Sequence, residues 1–492
     1  MNRFLLAGAL LAPSLFAQSP ATLAWSSYLS GNRSDLARAV VTDAAGNVWV
    51  AGNTSSVFDF PGPNDPFQNQ PKGGTDVFVA KYKPEPDGKA TLLFWTWLGG
   101  AGDDEVAAIG LNSSGHVCLT GATTSNDFPL TGISFQQNNA GEADTWVAVI
   151  DPSVAGAGSY IFGSYYGGTR SEIPKAIFVE PGGAMVIAGY TSSTELPNVT
   201  SNVQGSPQGA WETFFIRVDP TLSSTLTYAS FFGGSATDVA TGVAVDRNGV
   251  IWITGYTTSD NFPVTGNAYR ATKASYFDCF LAAIDPGKPG LDAHVYGTYF
   301  GGGNREEPTA MIIDSSGAFW ITGFTFSNDF PITAAAAYQR EISGEIDGFV
   351  MRLDLSRPPS EVITYSTYIG GSGFDLPNAL TLLPDGRVAV SGYTILGEFP
   401  TAGRQLQQNP GGGSGDGFVA IINTRVAGPA ALEYSSYVGG RFTDNVVAMA
   451  PDGAGGLILA GYTTSPDFPV TDGSTRQNPA ILPSGFLARI TR

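Results

Sequence analysis

The sequence predicts an all-β fold, a seven-bladed β-propeller of four-stranded antiparallel blades closed by pairing of the N-terminal strand with the C-terminal blade. Three observations carry this reading: a motif repeated seven times at nearly constant spacing, four strand-like segments in each repeat, and one repeat divided between the chain ends.

The motif is Gly-x-Thr, at Gly52, Gly121, Gly189, Gly255, Gly323, Gly392 and Gly461, with successive spacings of 69, 68, 66, 68, 69 and 69 residues. A fixed period of this kind marks one supersecondary unit stacked on copies of itself. Around each anchor the order is the same: an aromatic strand ending in Gly-Gly, an acid, an apolar strand, a turn, a second apolar strand ending in Gly-x-Thr, a Phe-Pro loop, and an acid leading into a third strand. In the fourth unit Val243 to Asp246 reads as the innermost strand A, Asn248-Gly249 as a hairpin turn, and Val250 to Tyr256 as strand B. Phe280 to Asp285 reads as strand C and Ala293 to Phe300 as strand D. Four strands per period describe a propeller blade. Two positions are aromatic in every copy, one near the end of strand D (Tyr28, Trp97, Tyr165, Phe231, Tyr299, Tyr368, Tyr437) and one opening strand C (Phe78, Trp146, Phe214, Phe280, Phe349, Phe418, Phe486). They are expected to form the core between blades, where large rings supply the buried area that sheet-on-sheet packing needs.

The chain ends account for the closure. A lone strand D, Leu23 to Leu29, follows the N-terminus, and the chain finishes on strand C, Phe486 to Ile490, so the seventh blade lacks a strand that only the N-terminus can give. Ahead of it, Asn2 and Arg3 precede an apolar run from Phe4 to Phe16 and then Ala17-Gln18, the pattern of a secretory signal peptide over residues 1–17. About 14 apolar residues interrupted by Pro13 fall short of the roughly 20 that a membrane span requires. Residues 18–492 are expected to form one propeller domain, a monomer without a membrane span, released to the periplasm, the cell surface or the medium.

Segments such as Tyr365-Ser366-Thr367-Tyr368-Ile369-Gly370-Gly371, Gly255-Tyr256-Thr257-Thr258-Ser259 and Asp467-Phe468-Pro469 resemble the bacterial β-propeller repeat named SBBP. The resemblance implies an exported bacterial protein, often at the cell surface, and brings no shared enzymatic activity or catalytic residue. The first unit departs from it with Ser30-Gly31 for Gly-Gly, and the third with Leu196 for Phe.

Charge narrows the function classes. The net charge of −18 comes from 43 acids against 25 lysines and arginines, which disfavours nucleic acid as a partner. Only two histidines, His116 and His294, and two cysteines, Cys118 and Cys279, are present, in different repeats. That leaves no catalytic residue to name, because triads and zinc sites need a histidine or an equivalent base within reach. Cys118 aligns with Trp49, Trp252 and Trp320 and reads as a buried apolar substitute.

The carboxylates form three series. An acid enters strand A in every copy: Asp35, Asp104, Glu172, Asp238, Glu306, Asp375 and Asp444. These seven are expected to surround the channel mouth as ligand-binding residues, and as a weak calcium site if any cofactor is used. A second series, Asp59, Asp127, Glu195, Asp329, Glu398 and Asp467, precedes the Phe-Pro step, with Asn261 in the fourth copy. A third, Asp76, Asp144, Glu212, Asp278, Asp347 and Asp416, precedes strand C, with Ser484 in the last. One strongly negative face is therefore expected, although acids at strand entrances also serve as caps for turn amides. The B-to-C loops vary freely between copies, and loops on a rigid scaffold are where recognition concentrates. The sequence thus points to an exported non-catalytic binding or surface scaffold that recognises a glycan or protein ligand through these loops. The alternative is a propeller hydrolase or lyase using acids at the channel mouth.

Overall fold

The computed structural model describes residues 21–57, 65–199, 203–222, 225–472, 474, 476–479 and 483–491. Residues 1–17, expected as a signal peptide, and Asp59 lie outside the described residues. Seven four-stranded antiparallel sheets are present, and six of them take their strands in chain order from the innermost, A, to the outermost, D. The A strands are Asp35–Thr42, Asp104–Leu111, Glu172–Val179, Asp238–Val245, Glu306–Ile313, Phe374–Leu382 and Asp444–Pro451. In the fourth blade, strand B is Ile251–Thr257, strand C Asp278–Ile284 and strand D His294–Phe300. Strand A begins five residues before the expected Val243, because the entry acid already belongs to the ladder. Gly249 holds the tight turn between A and B at φ 82°, a conformation that costs glycine nothing.

The two recurrent aromatics of each blade face one another across strands C and D, as in Phe78 opposite Trp97 and Phe280 opposite Tyr299. The strand C ring also lies opposite the glycine of Gly-x-Thr, Gly52 against Phe78 and Gly255 against Phe280. The Phe of the Phe-Pro loop stacks on that ring, with centroids 4.5 Å apart for Phe262 and Phe280 and 4.1 Å for Phe399 and Phe418. The strand D tyrosine then ties the loop down through its polar end, since Tyr299 Oη donates to the Ser259 carbonyl at 2.8 Å and accepts the Phe262 N–H at 3.0 Å. One residue thus gives buried area to the core and holds a long loop in place.

The seventh sheet closes the ring. Thr22–Leu29 pairs with Ser484–Thr491 along its whole length, placing Tyr28 opposite Phe486. Tyr28 repeats the loop clamp across the closure, donating to the Ser465 carbonyl at 2.8 Å and accepting the Phe468 N–H at 3.1 Å. Trp25, Leu29, Ile458, Ala460 and Leu487 of this blade share a buried cluster with Ala37, Val50 and Phe78 of the first. Both cysteines are buried and free. No helix among the described residues is long and apolar enough to cross a membrane.

A chain that starts after residue 31 is expected to lose its cooperative thermal transition, since the seventh sheet then exposes the unpaired edge of Ser484–Thr491. Tyr28→Phe keeps the ring and removes the clamp, and should cost about 1 kcal/mol in urea unfolding. A truncated chain that melts as the intact one does would show that the closure is dispensable.

Candidate ligand site at the channel mouth

Each entry acid is committed to its own blade. Asp104 Oδ2 accepts the Gly100 N–H at 2.7 Å and the Ser125 hydroxyl at 2.8 Å. Asp238 and Asp444 make the same pair of contacts with Gly234 and Ser259, and with Gly440 and Ser465. Asp35 binds Gly31, Thr54 and Ser56, and Glu306 binds Gly302, Thr325 and Ser327. Glu172 binds Gly168 and Thr191, and Asp375 binds Gly371. All seven side chains are fully buried. In Asp35, Asp104, Glu172, Asp238, Glu306, Asp375 and Asp444, the acids expected to surround the channel mouth, amide and hydroxyl donors of the Gly-Gly turn and the Gly-x-Thr end draw the carboxylate into the sheet. Among the described residues no three of His, Cys, Asp and Glu are grouped as metal ligands.

The acids preceding strand C are buried as well and cap the loop that leads to them: Asp144 Oδ2 accepts the Ala140 N–H and the Gln136 amide, each at 2.9 Å. The Phe-Pro acids hold the neighbouring Gly-Gly turn, as Asp127 does for the Ala101 N–H and Asp329 for the Gly303 N–H. The acids entering strands A and C are therefore folded inward, while Asp127, Glu195, Asp329, Glu398 and Asp467 stay exposed.

Burial also pairs these acids across blades. A side-chain carbon on Gly99 would stand 2.0 Å from Asp76 Oδ1 and 2.9 Å from Asp104 Oδ2, and one on Gly439 would stand 2.1 Å from Asp416 Oδ1 and 2.8 Å from Asp444 Oδ2. Only a glycine admits two carboxyls from adjacent blades so close to its backbone. Burial pushes Asp144, Glu212, Glu306, Asp375 and Asp416 up to about 7, and Asp35 and Asp76 up to about 6; the facing carboxylate adds to the rise in Asp76, Asp144 and Asp416. At the closing junction Ser484 stands in place of the second acid, and the Arg476 charge lowers Asp35 in part.

The channel itself is lined by another position. In every blade the A–B ladder slips by one residue, for example between Ala37 and Ala39 and between Pro174 and Ala176. A residue skipped in this way is a β-bulge, and it leaves the ladder free to point elsewhere. The skipped residues are Arg38, Ala107, Lys175, Thr241, Thr309, Asn378 and Val447, and all seven line one cavity of about 820 Å³. Such a volume suits a small ligand. Two of the seven also link blades: Thr309 Oγ1 donates to the Pro377 carbonyl at 2.7 Å, and Asn378 Nδ2 to the Val446 carbonyl at 2.9 Å.

The third and fourth blades build an aromatic wall on the loop-face side of this cavity. Tyr190 and Tyr256, the middle residues of two Gly-x-Thr motifs, join Trp211 and Phe277, which end two of the variable loops. Tyr190 packs edge-on against Trp211 with centroids 5.1 Å apart, and Tyr256 leans on Phe277 at 5.8 Å. Trp211 and Tyr276 remain 41% and 72% exposed, so their faces are open to a ligand. The cavity carries Arg38, Lys175 and Arg305 against one acid, Glu307, which Arg305 binds through Nε at 2.8 Å. Lys175 Nζ lies 5.5 Å from the centre of the Tyr190 ring. Loss of solvation, followed by the Arg38 charge, lowers its pKa from the ordinary lysine value, and Glu105 offsets part of this.

Sequence reasoning placed recognition in the variable loops but did not single out the rings Trp211 and Phe277 at the ends of two of them, and it missed the bulge residues. The signal was present three residues after each entry acid, where Arg, Ala, Lys, Thr, Thr, Asn and Val succeed one another in an otherwise regular repeat.

The fold and this cavity define a seven-bladed β-propeller with an open, mixed cationic and aromatic channel mouth. The chain carries the SBBP β-propeller repeat, whose family model matches residues 227–263. It is 25% identical over 470 residues to the regulatory protein FlaEY of Caulobacter vibrioides, a match covering 90% of this chain and 44% of that protein. The chain therefore spans less than half the length of that relative. Among solved structures, a Dyadobacter fermentans protein of unknown function shares 14% identity over 96% of this chain and 99% of its own, with a TM-score of 0.38. The WD40 β-propeller domain of Doa1 shares 9% identity over 95% of this chain and 96% of its own, with a TM-score of 0.45.

The buried acids set a pH dependence with a definite sign. A carboxyl whose pKa is higher in the folded than in the unfolded chain binds its proton more readily when folded, so stability falls as pH rises between the two values. Melting temperatures are expected to be highest near about pH 5 and to decline towards pH 8, with Asp416→Asn flattening the decline. Below that range Asp314, held down at about 2 by the Ser316 hydroxyl, the Ala318 N–H and Arg352 despite partial burial, contributes in the opposite sense. A melting temperature that rises from pH 5 to pH 8 would contradict the acid pairing.

Proposed function

We propose that the chain is an exported, non-catalytic binding protein that takes a glycan or peptide ligand at the loop-face mouth of its channel. One observation carries the reading: the side chains lining the cavity change from blade to blade, while the acids, glycines and aromatic rings that build the blades recur. Positions needed by every blade repeat, and a site for one ligand breaks the repeat. The loops Asn198–Trp211 and Thr265–Phe277 support it by delivering rings to the same cavity. Export rests on the Arg3 n-region and the Phe4 to Phe16 apolar run.

The enzymatic alternative loses its expected acids. The carboxyls with raised pKa values are buried in the blade junctions, and Glu307, the acid lining the cavity, is held by Arg305. General acid–base work needs a group within reach of substrate.

The test combines glycan and peptide arrays with a turnover screen, repeated on Thr241→Trp, which fills the channel at a bulge position outside the ladder. The wild type should bind without turnover, and the variant should melt normally while losing at least about tenfold in affinity. Undiminished binding by Thr241→Trp, or turnover abolished by Glu307→Gln, would overturn the proposal.

A further inference from the structure

We infer that the ligand is an anionic saccharide, its acid group seated between Arg38 and Lys175 and its ring faces laid on the Tyr190, Trp211 and Tyr256 wall. This rests on the reading of the cavity as a binding site and adds the chemical class of its occupant.

The charge arrangement comes first. In a chain of net charge −18, Arg38 and Lys175 line one channel cavity from the first and third blades, and the Arg38 charge acts on the Lys175 amine. Neither has an ion-pair partner among the described residues, and Glu105 is the acid whose charge reaches Lys175. Elsewhere the protein pairs its cations readily, as in Arg217 with Glu180 at 2.7 Å, Arg352 with Asp314 at 3.0 Å and Arg489 with Asp452 at 2.9 Å. Two like charges lining one partly desolvated cavity repel, and an anion placed between them relieves that repulsion with stronger attraction than it would find in open water. Arg38 offers the planar fork that matches a carboxylate or sulfate, and Lys175 adds a point charge.

The rings decide what carries the anion. Trp211 props Tyr190 and Phe277 props Tyr256, so their orientations are set before any ligand arrives. A pyranose presents a flat face of C–H groups that packs on such rings and an edge of hydroxyls that needs donors and acceptors. Thr237, Thr258, Tyr190 and Tyr256 bring hydroxyl-bearing side chains to the same cavity. A bare phosphate or sulfate ion leaves the rings unused, and a neutral sugar leaves the cations unpaired. A peptide draws its affinity mainly from backbone hydrogen bonds and apolar side-chain pockets, whereas this wall offers ring faces and side-chain hydroxyls.

The experiment is calorimetric titration with trigalacturonate, its methyl ester, a sulfated galactose trisaccharide and a glutamate-rich peptide. The acid trisaccharide should bind at least about tenfold more tightly than its ester, with the gap closing in Arg38→Gln/Lys175→Gln. Trp211→Ala should weaken acid and ester alike. Preference for the sulfated sugar over the uronate identifies sulfate as the anion within the same proposal. Equal binding of acid and ester, tighter binding of the peptide than of either acidic sugar, or no binding of either acidic sugar overturns the inference. In each of these cases an array ligand displaced by Thr241→Trp leaves the binding function standing.

Discussion

At one point in each blade the backbone of the innermost strand presses so close on the next strand that only glycine fits. A side-chain carbon on Gly52 would lie 2.2 Å from the Leu36 carbonyl oxygen, on Gly121 1.8 Å from that of Glu105, and on Gly255 1.9 Å from that of Val239. Beside this crowding the ladder slips by one residue, as strands do where they bend at a bulge. The same added carbon on Gly52 would also meet the strand C ring, 2.5 Å from Phe78. Remove the close approach and three things change together: the bulge that feeds the channel, the register that carries the entry acid to its turn, and the seat of the ring.

Much of this was legible in the sequence. Gly-x-Thr, the two aromatic positions and the divided last blade lead directly to seven sheets and their closure, because a repeat constrains each unit seven times over. The site was less legible. Asp104 and Glu306 read as exposed because they enter strands beside a channel, yet Ser125 and Ser327, two residues beyond the Gly-x-Thr threonine, supply hydroxyls that fold them inward. A spacing shows where a carboxylate begins and does not show which donors capture it. The bulge was hidden for a related reason: period-2 alternation assumes an unbroken ladder, and one skipped residue in each strand A reverses the inside and outside assignments around Arg38 and Lys175.

The exception in the repeat clarifies its logic. Six blades place a serine two residues after the threonine, and the sixth has Leu396, which is 79% exposed at φ 60°. Asp375 there keeps the Gly371 N–H and has no serine hydroxyl. A branched, bulky residue in the left-handed region is strained, so the missing hydroxyl comes with backbone strain at the same corner. The repeat tolerates one such defect because the other blades hold the ring closed.

The bulge also separates what evolution must keep from what it can alter. A side chain released from the ladder owes nothing to strand pairing, and apart from Thr309 and Asn378, which bond to the next blade, its identity can change with little effect on folding. Seven such positions converge on one opening, and each resides in a different copy of the same unit. The arrangement resembles a tumbler lock in which every pin can be recut without rebuilding the barrel, so that descendants sharing an almost unchanged framework are free to answer to different keys.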